Sequence, residues 1–209
     1  MDASEHARHD RLLRDEDRAR FLVTRALVRT LLSSFVGVPP TRWRFVATDH
    51  GRPEIANLPP GAPPLRFNVS HTTGLVACAV TAGRDIGLDV ENVDRRVTHD
   101  VAGRFFAPRE VADLRALPHD RQPLVFFDYW TLKEAYIKAR GLGLALPLRH
   151  FAFDLSGSAD PVISFDETIA DTPESWQFRQ AWATQRHRLA VGVRANGATL
   201  PVRLEPTVP

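Results

Sequence analysis

Two lysines carry the first signal. Of the 27 Lys and Arg residues in this 209-residue chain, only Lys133 and Lys138 are lysine. An ammonium is a compact point charge, whereas a guanidinium is a planar fork, so these two positions stand out as places that need the former. They flank Glu134 in Trp130-Thr-Leu-Lys133-Glu134-Ala-Tyr-Ile-Lys138. Helical spacing is expected to put Trp130, Lys133, Glu134, Ile137 and Lys138 on one face, with Leu132, Ala135, Tyr136 and Ala139 opposite. A face that mixes three charges with Trp and Ile suits neither open water nor a core, and points to a cleft. A second signal lies in Ile86-Gly-Leu-Asp89-Val-Glu91. Strict alternation predicts a strand that buries Ile86, Leu88 and Val90 and presents Asp89 and Glu91 together on its other face. Two carboxylates held side by side repel unless a cation sits between them. Mg²⁺ suits such a pair, because it takes oxygen ligands and shares them with phosphates. Glu134 can supply a third carboxylate.

Other residues fit an anion. His71 lies in Ser70-His71-Thr-Thr-Gly74, expected to be a turn after a strand. There, hydroxyls, N–H groups and an imidazole could cradle an anion, or the histidine could simply support the turn. Arg52, in Gly51-Arg-Pro53, adds a cation. Arg18, Arg25 and Arg29 recur along a helix, where they could converge on phosphate or line a solvated face. Taken together, carboxylates, lysines and basic groups are equipment for holding a polyphosphate and moving one of its groups. The chain has no Gly-x-x-x-x-Gly-Lys-Ser/Thr loop, no Gly-x-Gly-x-x-Gly turn and no Gly-x-Ser-x-Gly elbow.

The elements that must position these groups can be read in order. Residues 1–17 are polar and expected to be a flexible lead-in. A helix is expected over Asp17–Phe35, ended by Gly37-Val-Pro-Pro. Strands follow at Trp43–Ala47, Leu65–Val69, Leu75–Thr81 and through Asp85–Val93. Helices are expected at Val97–Phe106, from Pro108, and over Leu124–Arg140. Strands return at Phe151–Leu155, Val162–Phe165, Trp176–Trp182 and Leu189–Val193. The tail, 201–209, reads as loose. This is an α+β pattern, with a boundary near Asp94–Thr98 that separates halves at 18–95 and 96–200.

The chain is 44% hydrophobic and 25% charged, ordinary values for a globular protein. Its net charge of +2 is too small for a nucleic-acid-binding surface. The single cysteine, Cys78, precludes an internal disulfide and fits a reducing compartment. It reads as a small core residue. No apolar run approaches the ~18 residues of a membrane span, and the charged N-terminus lacks a signal-peptide core. A cytoplasmic protein is expected.

Four stretches occur in order: Phe67-Asn-Val-Ser70-His71, Ile86-Gly-Leu-Asp89-Val-Glu91, Arg104-Phe-Phe-Ala-Pro-Arg-Glu110 and Trp130-Thr-Leu-Lys133-Glu134-Ala-Tyr-Ile-Lys138. With Gly141-Leu-Gly143-Leu and Leu146-Pro147-Leu, they resemble the 4′-phosphopantetheinyl transferases of the surfactin-synthetase-activating type, from about Arg18 to Val193. The resemblance implies an enzyme that moves 4′-phosphopantetheine from coenzyme A to a serine of an apo acyl or peptidyl carrier protein, releasing adenosine 3′,5′-bisphosphate. It implies a pseudo-twofold pair of α+β halves, with the site in the cleft between them. By position, Asp89, Glu91 and Glu134 would hold Mg²⁺. Ser70 and His71, with Arg29 and Arg52, would bind the 3′-phosphate and adenine end. Lys133 and Lys138 would lie along the pyrophosphate, and Glu110 would act as or position the base for the serine. A monomer is expected, with no nucleic acid or membrane as partner. The alternative is a non-catalytic coenzyme A or carrier-protein binding module. Two departures stand out: residues 1–17 lack the strand usual ahead of the first helix, and Leu142 stands where relatives often carry Lys.

Overall fold

Each half of the chain sets a long helix against antiparallel strands. The computed structural model describes residues 1–97, 101–143, 146–157 and 160–207. Thr98 and the two residues after it, Leu144 of the Gly-Leu-Gly-Leu stretch, and the last two residues of the tail lie outside the described residues. So, therefore, does part of the helix expected over Val97–Phe106.

The lead-in is ordered into a helix, α1 (Ala3–Asp10). The Asp2 carboxylate accepts from Glu5 N at 3.0 Å, and Glu5 Oε2 accepts from Asp2 N at 2.9 Å. This reciprocal cap satisfies two otherwise orphaned donors. Glu5 then turns inward to meet Arg29 at 2.5 Å and Arg25 at 3.4 Å. The polar composition that suggested a loose segment is what docks it. Helix α2 (Asp15–Val36) ends at Gly37, which sits at φ +66, a left-handed conformation that glycine adopts without penalty. Its Val28 and Leu32 pack on Trp43, Leu65 and Phe67.

Strands β1 (Phe45–Ala47) and β2 (Pro53–Ile55) form a small hairpin, and β3 (Leu65–Thr72) and β4 (Leu75–Ala82) a longer one. Residues of β4 alternate as expected of a buried strand: Cys78 and Val80 join the α2 core, while Leu75, Ala77 and Ala79 face the next strand. That strand, β5 (Ile86–Asn92), was expected in the first half. It pairs instead with β9 (His187–Arg194), which pairs with β8 (Trp176–Thr184), giving sheet order β5-β9-β8. Its free edge meets β3 only through side chains. Leu88 N, Val90 N and Asn92 N donate to Asn68 Oδ1 (2.9 Å), Ser70 Oγ (3.2 Å) and Thr72 Oγ1 (3.3 Å). The two halves are therefore stitched along one face of β3.

Between β5 and the closing strands lie α3 (Val101–Phe105), α4 (Pro108–Ala116), α5 (Gln122–Arg140) and a hairpin of β6 (Phe151–Asp154) and β7 (Val162–Phe165). The core of this half is aromatic. Tyr136 lies 4.8 Å from Phe151 and 5.1 Å from Trp176 between ring centroids, all edge-on. No helix among the described residues is long and apolar enough to cross a membrane.

Helix α5 lies directly on β5. A Cβ at Gly87 would fall 2.0 Å from Ala135 O and 2.4 Å from Ala139 N, so only glycine permits this approach. Gly87→Ala is expected to cost about 3 kcal/mol by forcing strand and helix apart. A urea melt reads this as a lowered midpoint, and an unchanged midpoint would mean the contact has slack. The consequence for function is distance, because the residues two and four beyond Gly87 on the same face are Asp89 and Glu91.

Candidate active site

Strand alternation turns Asp89 and Glu91 toward α5, and helical spacing brings Trp130, Glu134 and Lys138 to meet them. Lys138 Nζ lies 2.6 Å from Asp89 Oδ1 and 3.0 Å from Ser70 Oγ. The Ser70 hydroxyl donates to Asp89 Oδ1 at 2.9 Å. Glu91 meets Arg95 at 3.2 Å. So Ser70 from the first half, and Asp89, Glu91, Glu134 and Lys138 from the second, converge at the seam. Burial first, and then the Asp89 charge, push the Glu134 carboxyl above its usual range, with Lys138 opposing. Glu91 is raised for the same two reasons, in the same order, with Arg95, the Trp130 indole and Lys138 opposing.

Four residues expected at this site are elsewhere. Lys133 and Glu110 form a fully buried ion pair at 2.7 Å. The Lys133 ammonium also donates to Leu148 O (2.8 Å) and Phe151 O (2.7 Å), and so has no proton left for a phosphate. The reason is angular: residues five apart on a helix point about 140° apart, too far for Lys133 and Lys138 to share a face. Glu110 accepts from Ala107 N at 2.9 Å and Phe153 N at 2.8 Å, and no carrier serine could reach it there. Arg29 is spent on Glu5, Trp43 O (2.7 Å) and Pro40 O (3.3 Å). Arg52 donates to Lys138 O, Ala139 O, Phe67 O and Ile86 O at 2.8–3.3 Å. It caps the negative end of α5 and ties that end to β3 and β5.

His71 lies within β3 and not in a turn, because Thr72 pairs with Leu75 and only Thr73-Gly74 form the bend, with Gly74 at φ +84. Consecutive strand residues face opposite ways, so His71 is exposed on the side away from Ser70. Arg20 of α2, which the sequence reading passed over, is its neighbour. Partial desolvation, and then the Arg20 charge, draw the His71 imidazole below its ordinary value. Arg20 was legible only once β3 was known to run on through His71, since its place on α2 shares no pattern with Arg25 and Arg29.

The fit to a divalent cation rests on one atom. Asp89 is 5% exposed, and its Oδ2 is buried with no hydrogen-bond partner among the described residues. An unpaired buried carboxylate oxygen beside two further carboxylates is a donor set for a hard cation. With Lys138 seated on Asp89, the described residues do not gather three such ligands to ligating geometry.

Residues 85–192 match the family described as the 4′-phosphopantetheinyl transferase superfamily, and residues 1–83 the family described as 4′-phosphopantetheinyl transferase, N-terminal. The two matches meet at the β4–β5 turn, where the sheets divide. The 4′-phosphopantetheinyl transferase HetI of Nostoc sp. is 40% identical over 148 residues, 69% of this chain and 61% of its own length. A 4′-phosphopantetheinyl transferase of Bacillus subtilis is 35% identical over 181 residues, 87% of this chain and 76% of its own length. The 4′-phosphopantetheinyl transferase Sfp of Bacillus subtilis is 35% identical over 145 residues, 69% of this chain and 62% of its own length. The chain thus spans about three fifths of two of these relatives and about three quarters of the third.

Proposed function

This chain belongs to the 4′-phosphopantetheinyl transferase superfamily, and on that premise we propose that it transfers 4′-phosphopantetheine from coenzyme A to a serine of an apo acyl or peptidyl carrier protein. The observation that carries this reading is the meeting of Asp89, Glu91, Glu134 and Lys138 where the two halves join. Such a cluster suits a diphosphate and a cation together, whereas a module that only bound coenzyme A would have no use for three carboxylates gathered at one seam.

The serine oxygen attacks the phosphorus that bears pantetheine, and the bond from that phosphorus to the bridging oxygen breaks. Adenosine 3′,5′-bisphosphate leaves with the electron pair. With Lys138 drawn off Asp89, the carboxylates of Asp89, Glu91 and Glu134 would hold Mg²⁺, which would supply Lewis-acid polarisation of the diphosphate. Lys138 neutralises charge gathering on the leaving group. His71 and Arg20, on the α2 side of β3, hold the 3′-phosphate. With Glu110 sealed in the core, the serine proton passes to a carboxylate of the cleft. Both sides of the seam come from one chain, which supports a monomer. A coenzyme A substrate and a lone cysteine support a cytoplasmic setting.

The test is direct. The chain is incubated with coenzyme A, Mg²⁺ and several apo carrier domains, and the carriers are weighed by mass spectrometry. A gain of one phosphopantetheine is expected on at least one of them. No gain on any would sink the reading.

A further inference from the structure

The acidic cluster already contains a cation, and it is the protein's own. Lys138 Nζ is held by Asp89 Oδ1 at 2.6 Å and Ser70 Oγ at 3.0 Å. Ser70 is fixed in turn, donating to Asp89 at 2.9 Å and accepting from Val90 N at 3.2 Å. This is a built seat for a positive charge. One ammonium does not satisfy it: Asp89 Oδ2 stays buried and unpartnered, and the charges of Glu91 and Glu134 bear on the same point. Lys138 also has a way out. Its side chain is 28% exposed, whereas that of Lys133 is 0% exposed.

The choice of lysine fits such a role. An arginine would clamp Asp89 with a rigid fork, and this chain uses arginine at nearly every other cationic position. An ammonium on a flexible stem can leave without breaking a bidentate bond. A second cation arriving at Asp89 while the first remained would be repelled at close range in a half-buried site.

We propose that Lys138 is a resident counter-ion that occupies the cation seat of the free protein, so that a divalent ion binds well only once a diphosphate has drawn the ammonium off Asp89. The identity of that diphosphate as coenzyme A rests on the proposed function. The competition between lysine and metal does not. Metal and coenzyme A therefore enter together, and the same lysine that guards the seat arrives on the phosphates as the metal takes its place.

The experiment measures Mn²⁺ binding to the full chain by electron paramagnetic resonance, first without coenzyme A. The unchanged chain binds weakly, and Lys138→Arg, which keeps the charge, binds no better. Lys138→Met binds at least about tenfold more tightly, and adding Glu134→Gln to it removes the gain. Coenzyme A then tightens Mn²⁺ binding to the unchanged chain far more than to Lys138→Met. Should Lys138→Met not fold, judged by near-ultraviolet circular dichroism, Lys138→Gln gives the same comparison. Equal or weaker affinity in the neutral variant overturns the proposal. So does a gain that survives Glu134→Gln, or equal tightening of both chains by coenzyme A. Absence of group transfer by the unchanged chain would overturn the proposed function alone and leave the Mn²⁺ comparison standing.

Discussion

Glu134→Gln is expected to lower kcat for carrier modification by at least about 10²–10³-fold while leaving the fold intact. The substitution keeps the size of the side chain and removes only its charge. Glu134 is half-buried, and its carboxyl is pushed up by burial and by Asp89. The folded chain therefore gains little from its ionisation, and the neutral amide relieves repulsion at no cost in packing. The melting temperature should hold or rise slightly. Its ionised form matters only where a cation and a diphosphate must be held against Asp89 and Glu91. The coenzyme A contacts proposed for His71 and Arg20, across β3, should survive, so the loss is expected to fall on kcat more than on KM. Mass spectrometry of the carrier, with kcat and KM fitted separately, reads the result. Near-normal turnover would remove Glu134 from the chemistry and with it the reading of this cluster as a metal seat.

The residues that sequence reasoning placed correctly are those set by a single local period. Asp89 and Glu91 share a face because β5 alternates, and Glu134 and Lys138 share one because four residues make about one helical turn. Gly37 and Gly141 end α2 and α5 where a left-handed residue is required, at φ +66 and +67. The errors arose where a side chain's destination depended on an element distant in sequence. Arg29 reads locally as a free cation, whereas Glu5, from a helix the composition conceals, is bonded to it. Arg52 looked like a phosphate ligand because nothing local reveals the four carbonyls it meets, two of them at the end of a helix more than 80 residues away. His71 reads locally as part of a turn because Thr-Thr-Gly looks like a bend, whereas pairing to β4 carries the strand three residues past Val69, to Thr72. The pairing of β5 is hidden for a related reason. The spacing shows that β5 is a strand, but not that its partner is β9, about a hundred residues on.

Lys133 and Glu110 are the sharpest case, and their removal is expected to cost stability and spare chemistry. Lys133→Met leaves a carboxylate in a fully buried site without its counter-charge, and leaves Leu148 O and Phe151 O without the ammonium that donates to them. Glu110→Gln leaves the ammonium unmatched and weakens the bonds from Ala107 N and Phe153 N. Breaking a buried pair from one side costs about 3–5 kcal/mol, because the surviving charge is stranded. The pair is already strained in this sense. Burial draws Lys133 down, to about 8, and pushes Glu110 up, with their mutual attraction opposing both shifts. The double variant Lys133→Met/Glu110→Leu should therefore lose less than the sum of the single changes, since no charge is stranded, though four backbone groups remain unpaired. Guanidinium melts give the three stabilities and the coupling between the sites. Turnover per folded molecule should stay within a few-fold of the unchanged chain, because neither group reaches the seam where Asp89, Glu134 and Lys138 meet. The opposite pattern, in which Lys133→Met melts normally but transfers nothing, would put Lys133 back on the phosphates and show that its buried partnership opens during turnover.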